Sequence, residues 1–278
     1  MAARRASRAR QPRARSQHFL RTASLAAELV RDAGVGADDV VVDLGAGSGR
    51  LTAALAPVAR RVVAVELDPA WACRLAGRWP NVDVVQGDAL ELELPREPFR
   101  VVANIPFDRT TDILRRLLDD PAVGLVRADL VVEWGVAIKR ALPWPTTAND
   151  VRWNACYRFS LARRLPRSAF DPQPAVDAGV LVVERRDVPL VPLDETNRFA
   201  AFVARGFRHG LRAVGVRRHA EPRTLDAHEW AALYLSAREG AGAGRGAGAW
   251  AVDARRARAR GRVAADTARS SRNPNAPQ

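Results

Sequence analysis

Apolar and polar positions alternate along most of the chain in two kinds of block, and their order predicts the fold. Short runs rich in valine are typical of buried strands, whereas apolar residues three or four positions apart indicate helices. Residues 22–33 have the helical spacing, with Leu25, Leu29 and Val30 on one face. The predicted strands are residues 39–44, 61–66, 81–86, 99–103, 128–133, 153–159 and 178–184.

Helical segments separate these strands. They begin near Arg50 and at Pro69, where proline suits a first turn, and they continue at residues 109–118 and 134–142. Such strand–helix repeats predict an α/β fold with a doubly wound, mostly parallel sheet. The last two predicted strands are candidates for an antiparallel pair at one edge.

The pattern changes after Pro189 and Pro192, where only helices are predicted, around residues 194–209 and 226–238. With 278 residues, the chain can hold one large domain and one small one. We therefore predict a disordered basic arm at 1–15, an α/β domain at 16–188, a small all-α domain at 189–238 and a disordered Gly/Ala/Arg-rich tail at 239–278.

The charge indicates a polyanionic partner. The net charge is +13, the sequence pI is about 11.3, and Lys139 is the single lysine, so arginine carries the positive charge. Arginine forks match phosphates and stack on bases, which favours nucleic acid. A GC-rich genome would explain the choice of arginine over lysine but would not explain the net excess.

The cysteines and apolar runs bear on location. Cys73 and Cys156 are the only cysteines, which excludes a disulfide framework and fits a reducing compartment. No apolar run approaches the roughly 20 residues that span a bilayer, and residues 1–15 lack the apolar segment of a secretory signal. We expect a cytoplasmic protein without membrane contact. Composition alone does not exclude a transit peptide.

A glycine-rich turn follows the first strand and indicates a nucleoside site. Gly45, Gly47 and Gly49 form a G-x-G-x-G pattern that lets the backbone approach a ligand. The dinucleotide form G-x-G-x-x-G is absent, so an adenosine ligand without phosphates fits best. Glu66 ends the second strand and can accept ribose hydroxyl protons, and Asp88, after the third, can accept from the adenine amine. Each acid alone would be interpreted as a helix cap.

The four residues Asn104-Ile105-Pro106-Phe107 follow the fourth strand. They combine an amide, backbone carbonyls, a rigid proline and an aromatic face around one opening, which can hold a flat base that carries an exocyclic amine. By itself the motif is a β-turn of the kind that asparagine and proline favour. Its position beside the predicted nucleoside site makes it the candidate catalytic set.

These features together resemble the class I S-adenosylmethionine-dependent methyltransferases, and the segment Ser16-Gln17-His18-Phe19-Leu20 narrows the resemblance to the ribosomal RNA adenine N6-methyltransferases. Within them the chain is most similar to the Erm branch, as residues 165–177 also indicate. The resemblance covers about residues 16–238. It implies cofactor-binding roles for Gln17, His18, Leu20, Gly45, Gly47, Glu66, Asp88, Ala89 and Asn104. The chain differs from the family's usual residues at His18, where the family commonly has asparagine, and at Phe107, where it often has tyrosine.

The resemblance also implies the activity. The Erm branch adds one or two methyl groups to N6 of a specific adenine of 23S ribosomal RNA and confers resistance to macrolide, lincosamide and streptogramin B antibiotics, without a metal and as a monomer. The arginines that we expect to contact RNA are Arg163, Arg164, Arg167, Arg208 and Arg212. Three alternatives stay open: a small-subunit (16S) rRNA dimethyltransferase of ribosome assembly, a non-catalytic nucleic-acid-binding relative and a small-molecule methyltransferase.

Overall fold

A seven-stranded sheet organises the computed structural model, which describes residues 18–216 and 221–242. The strands of the chain are β1 Phe19–Leu20, β2 Val40–Leu44, β3 Arg61–Glu66, β4 Val82–Gln86, β5 Phe99–Asn104, β6 Leu125–Glu133, β7 Tyr157–Leu165, β8 Phe170–Asp171 and β9 Ala178–Arg185. The large sheet has the order β4-β3-β2-β5-β6-β9-β7, and β1 pairs with β8 in a small second sheet. The five neighbouring strands β4, β3, β2, β5 and β6 are parallel, and β9 runs antiparallel to both β6 and β7. The parallel sheet and the antiparallel pair are confirmed.

Within the described residues, eight α-helices connect and follow the strands. They are α1 Ala23–Asp32, α2 Arg50–Leu55, α3 Pro69–Leu75, α4 Thr110–Leu118, α5 Trp134–Ala141, α6 Ala148–Cys156, α7 Thr196–His209 and α8 Ala227–Gly242. Local caps explain two of the starts. The Thr22 side chain accepts from the Leu25 amide before α1, and the Asp68 side chain accepts from the Ala70 amide, with Pro69 in the first turn of α3.

The sheet is buried on both faces because alternate residues of each strand point to opposite sides. All five residues of β2 are buried. Val40, Val42 and Leu44 join a core that includes α4, whereas Val41 joins a core that includes α1 and α2. Helices on both faces are what the uninterrupted apolar runs predict for a parallel sheet.

The predicted strand at residues 153–159 is wrong over its first part. Residues 148–156 form α6, and the strand β7 begins only at Tyr157. A capping box starts the helix: the Thr147 side chain accepts from the Asp150 amide, and the Asp150 side chain accepts from the Thr147 amide. Trp153 is fully buried and its indole N–H donates to Asp119 Oδ1 at 2.8 Å. Tertiary packing therefore overrides the β-propensity of the aromatic residues here.

Helix α6 shares a third core with the helices that follow Pro189. Val151 and Ala155 of α6 pack in one cluster with Phe199 and Val203 of α7 and with Trp230 of α8. The helical region is thus present as predicted, but its core draws on a helix from the preceding segment. The domain boundaries stay predictions. The basic arm at 1–15 and residues 243–278 of the predicted tail lie outside the described residues, whereas residues 239–242, predicted to be part of the disordered tail, belong to α8.

Candidate active site

The candidate site lies where the strand order reverses, between β2 and β5. From β2 the chain proceeds to β3 on one side, while β5 occupies the other side, and such switch points open a crevice at the carboxyl ends of the strands. The glycine turn follows β2 and the Asn104 turn ends β5. A Cβ placed on Gly45 would lie 3.7 Å from Pro106 Cδ, so the two turns are in contact distance.

The glycine turn requires glycine for both conformation and space. Gly45, Gly47 and Gly49 have φ of 76°, 51° and 77°, in the left-handed region. A Cβ on Gly47 would lie 2.5 Å from the ring of Phe19, whose ring packs 5.3 Å from that of Trp71. The turn is thus a narrow cradle of backbone beneath an aromatic side chain.

Glu66 is fixed by the backbone around it. The side chain is buried, Oε2 accepts from the Gly47 amide at 2.7 Å, and Oε1 accepts from the Asp68 amide at 2.8 Å. Each carboxylate oxygen has a second lone pair, so Glu66 can still accept from two hydroxyl groups. The two hydroxyl groups of a ribose are such a pair of donors. The site therefore fits the adenosine part of the predicted cofactor.

A second buried carboxyl group supports the turn from below. Asp43 accepts from the Thr52 hydroxyl at 2.7 Å. This bond ties β2 to α2, the helix that follows the glycine turn. The pKa of Asp43 is raised to about 7, because burial raises it more than the hydrogen bond from Thr52 lowers it, and the nearby charge of Glu66 adds to the rise. Asp43 therefore changes charge near neutral pH.

Asp88 and Ala89 follow β4 at the far side of the crevice. Asp88 Oδ1 accepts from the Leu90 amide at 2.9 Å, and Oδ2 lies 3.7 Å from a guanidinium nitrogen of Arg109. The carboxylate is partly exposed and can accept a further donor, whereas Ala89 packs on the core and offers backbone only. The approach of Arg109 was not predicted.

Asn104 has one amide atom bound and the other free. Its Nδ2 donates to the His18 carbonyl at 2.6 Å. Because a carbonyl only accepts, the nitrogen must face it, and this fixes the orientation of the amide. Oδ1 is buried and has no hydrogen-bond partner among the described residues. A buried acceptor left open in this way is rare in native proteins and marks a place where a ligand donor belongs.

The rest of the turn leaves a second acceptor open. The Pro106 carbonyl accepts from the Arg109 amide and the Phe107 carbonyl accepts from the Thr110 hydroxyl, both at 3.0 Å. In the described part of the chain no donor reaches the carbonyl of Ile105, whose side chain is anchored in the core. The Phe107 ring lies 5.8 Å from the His18 ring and 6.4 Å from that of buried Phe170.

The segment that starts at His18 covers the crevice. Phe19 pairs with Asp171, and His18 Nδ1 donates to the Pro172 carbonyl at 2.9 Å. Leu20 is buried in the core beneath α1, so only its backbone is available to a ligand. Gln17 lies outside the described residues. The contacts of Phe19 with the glycine turn and of Phe170 with Phe107 were not predicted, because they depend on the pairing of two strands that are distant in sequence.

The five arginines predicted to contact RNA fall into two groups. Arg163 lies within 3.2 Å of both Glu28 and Asp32, and Arg164 lies 2.6 Å from Asp177 and stacks over Trp134. The Arg167 amide donates to Asp177, and this bond and the neighbouring arginines hold the pKa of that carboxyl below its usual range.

The second group lies in the helical region. Arg208, in the last turn of α7, and Arg212, in the following 3₁₀ turn, are exposed, and they stand in a stretch without acidic residues from Thr196 to Ala220. The two groups therefore differ in how much of their charge is already neutralised by the protein.

Among the described residues, no cluster of three or more histidine, cysteine, aspartate or glutamate side chains has the geometry to bind a metal. No described helix combines the length and hydrophobicity needed to cross a bilayer.

Known proteins provide an independent comparison. A sequence model of the family described as ribosomal RNA adenine dimethylase matches residues 10–214. An rRNA adenine N-6-methyltransferase of Corynebacterium diphtheriae is 39% identical over 63% of this chain and 69% of its own length. The mycinamicin-resistance protein MyrB of Micromonospora griseorubida is 37% identical over 72% and 70%. A protein of Methanosarcina mazei named "Probable ribosomal RNA small subunit methyltransferase A" is 35% identical over 69% and 71%.

Among solved structures, the 23S rRNA methyltransferase ErmE superimposes on 79% of this chain and 99% of its own chain. The TM-score is 0.66 and the sequence identity is 26%.

Proposed function

The chain belongs to the ribosomal RNA adenine dimethylase family and is an S-adenosylmethionine-dependent rRNA (adenine-N6-)-methyltransferase, and we propose that its target is one adenine of 23S ribosomal RNA. We propose further that this methylation confers resistance to macrolide, lincosamide and streptogramin B antibiotics. The similarity to a mycinamicin-resistance protein and to ErmE supports both proposals.

The open acceptor on Asn104 is the observation that carries the proposed chemistry. An exocyclic adenine amine is a poor nucleophile because its lone pair is delocalised into the ring. Asn104 Oδ1 and the Ile105 carbonyl offer two acceptors for its two N–H groups. Holding both hydrogens draws the nitrogen toward tetrahedral geometry and directs its lone pair into the crevice. The donor bond from Nδ2 to His18 keeps Oδ1 aimed while this happens.

Neighbouring side chains would hold the base in place. Phe107 offers an aromatic face, and its edge-on contact with buried Phe170 fixes that ring from behind. Stacking on a fixed ring keeps an unstacked base out of the RNA, as enzymes that act on bases require. Pro106 restricts the turn, so positioning contributes much of the rate.

The cofactor side is assembled from the glycine turn and the strand ends. We propose that Glu66 accepts from the ribose hydroxyls, that Asp88 accepts from the adenine amine of the cofactor, and that Gly45 and Gly47 admit the ligand close to the backbone. S-adenosylmethionine, when bound, would supply a methyl group on its sulfonium sulfur. The N6 lone pair would form the new N–C bond in line as the S–C bond breaks, S-adenosylhomocysteine would leave as a neutral thioether, and one N6 proton would pass to solvent. The remaining contacts come from His18 and the backbone of Leu20 and Ala89.

RNA would bind through the arginines. We propose that Arg208 and Arg212 neutralise phosphates, because they are exposed and no acid lies near them in sequence. Arg163, Arg164 and Arg167 would add to this surface near the β7 edge, with part of their charge satisfied by Glu28, Asp32 and Asp177. We further propose that the enzyme works as a monomer in the cytoplasm and without a metal.

A direct assay separates the candidate substrates. Protein-free 23S and 16S ribosomal RNA would each be incubated with the enzyme and labelled S-adenosylmethionine, then digested to nucleosides. We expect label as N6-methylated adenosine in the 23S RNA alone. Label confined to 16S RNA, or to small-subunit particles, would contradict the proposed target.

The 16S alternative has one observation in its favour, which is the 35% identity to the Methanosarcina mazei relative named for the small subunit. That alternative predicts methylation of small-subunit particles and no change in macrolide sensitivity of cells that express the chain. A growth assay on erythromycin with and without expression therefore provides the second test. Protection by the wild-type chain supports the 23S proposal.

A further inference from the structure

A group of exposed apolar side chains lies in α5 and in the segment that follows it, and has no role in the chemistry described above. Among the described residues, ten large apolar side chains are exposed, and three of them fall between residues 138 and 144. These are Ile138 at 38% exposure, Leu142 at 42% and Trp144 at 55%. An exposed tryptophan is the costliest of these to leave in water, and clustered apolar exposure of this kind marks interaction surfaces.

The segment is rigid rather than a loose loop. Trp144 stands between two prolines, and the second of them, Pro145, is buried. The Thr146 hydroxyl donates to Asp150 Oδ2 at 3.1 Å, and the capping box of α6 follows at once. Two fixed φ angles and these anchors restrict the backbone that carries Trp144, so little backbone entropy is lost when a ligand binds there.

The segment is also tied to α4, the helix that follows the Asn104 turn. The Arg140 guanidinium binds Asp150 on one side and reaches the Thr111 hydroxyl at 3.5 Å on the other. Thr111 is four residues after Phe107, in the first turn of α4. Arg140, which lies between Ile138 and Leu142 in the chain, therefore links this segment to the first turn of the helix that follows the Asn104 turn.

We propose that Trp144, with Leu142 and Ile138 beside it, is a stacking platform for an unpaired RNA base that flanks the target adenine. This inference rests on the proposed function, because it assumes that RNA passes over the Asn104 turn. Single-stranded bases stack on exposed aromatic rings regardless of sequence, and a cation nearby adds phosphate affinity. Lys139, the single lysine of the chain, is exposed in the same turn of α5 as Ile138. The platform would select targets with an unpaired neighbour on that side.

The test compares full-length Trp144→Ala with wild type for binding to a 12-nucleotide single-stranded oligouridylate and to a paired duplex of the same length. We expect about tenfold weaker binding of the single strand, unchanged duplex binding and unchanged S-adenosylmethionine affinity. Trp144→Phe should restore most of the single-strand affinity. Val188→Ser removes an exposed apolar side chain that follows β9 and should change nothing. These assays need no methyl transfer, so they stand even if 23S RNA is not the substrate.

Undiminished single-strand binding by Trp144→Ala, or an equal loss on the duplex, would overturn the platform. So would a wild-type dimer that Trp144→Ala converts to a monomer, since the patch would then serve a second copy of the chain. With 23S RNA as substrate, the platform predicts that Trp144→Ala raises KM for RNA about tenfold and leaves kcat near the wild-type value.

Discussion

The two sides of the crevice differ in how far the chain completes its own hydrogen bonds. On the cofactor side, both oxygens of Glu66 already accept backbone amides, and the glycine turn is closed by bonds to Val65. On the acceptor side, Asn104 Oδ1 and the Ile105 carbonyl are without donors in the described part of the chain. In the proposed mechanism the cofactor side is therefore preorganised, whereas the acceptor side is completed only when the substrate amine arrives.

Asn104→Ala should produce the largest effect, because it removes the open acceptor. We expect kcat to fall about 10³-fold, with S-adenosylmethionine affinity within about threefold of wild type, when transfer and cofactor binding are measured on the same preparation. Asn81→Ala is the matched control, since Asn81 also donates its side-chain amide to backbone carbonyls, those of Ala56 and Ala59. It should lower stability and leave kcat unchanged. An equal loss of cofactor binding in Asn104→Ala would erase the distinction between the two sides.

Gly47→Ala should damage the cofactor side instead. Its Cβ would meet the Phe19 ring at 2.5 Å in a left-handed backbone, so we expect about a hundredfold weaker S-adenosylmethionine binding by calorimetry. Gly77 has a similar φ of 71° with nothing within 4 Å of a Cβ. Gly77→Ala therefore carries the backbone strain alone and should bind the cofactor normally. Equal losses in both variants would show that strain, and not the narrow cradle, limits the site.

Asp43→Asn tests the role of Asp43, which is buried on the cofactor side together with Glu66. The folded pKa of Asp43 is about 7 and the unfolded value is near 3.8, so the folded state binds the proton more tightly. The wild-type free energy of unfolding should then fall as pH rises between these values, and this loss ends above pH 7. Relative to wild type, Asp43→Asn should gain about 2 kcal/mol between pH 5.5 and 8 in urea titrations. A pH-independent difference would mean that Asp43 is ionised throughout.

The smallest effect is expected at the arginines. Arg208→Ala and Arg212→Ala should each weaken 23S RNA binding about threefold and lower the slope of log affinity against log salt by about one. Arg163→Ala removes a cation already paired with Glu28 and Asp32, so its slope should stay near that of wild type. A larger slope change in Arg163→Ala than in Arg208→Ala would reverse this assignment.

Local sequence signals predicted much of the fold and of the crevice. The β-branched runs of β2 and β3, the three glycines and the proline in the Asn104 turn each act over a few residues, so their structural outcome can be inferred from the sequence. The wrong strand prediction at residues 153–156 could have been avoided from a local signal. Thr147 and Asp150 have the spacing of a capping box, which predicts the start of a helix, but the apolar and aromatic residues after them favoured a strand.

The remaining features depend on contacts between distant segments. Phe19 pairs with Asp171, Asn104 bonds to His18 across 86 positions, and Arg163 meets Glu28 across 135. No periodicity or short motif encodes such pairs. The sequence could therefore nominate Asn104 but could not show which of its amide atoms is bound and which is open, and the chemistry depends on that difference.

A crystal structure of the enzyme with S-adenosylhomocysteine and an adenosine-containing RNA oligonucleotide tests the account most directly. We predict the adenine N6 about 3 Å from both Asn104 Oδ1 and the Ile105 carbonyl, with the base against Phe107 and the bond from Asn104 Nδ2 to His18 retained. An adenine bound elsewhere, or an Asn104 amide turned so that Oδ1 is satisfied by the protein, would contradict the central claim that the substrate amine completes this side of the crevice.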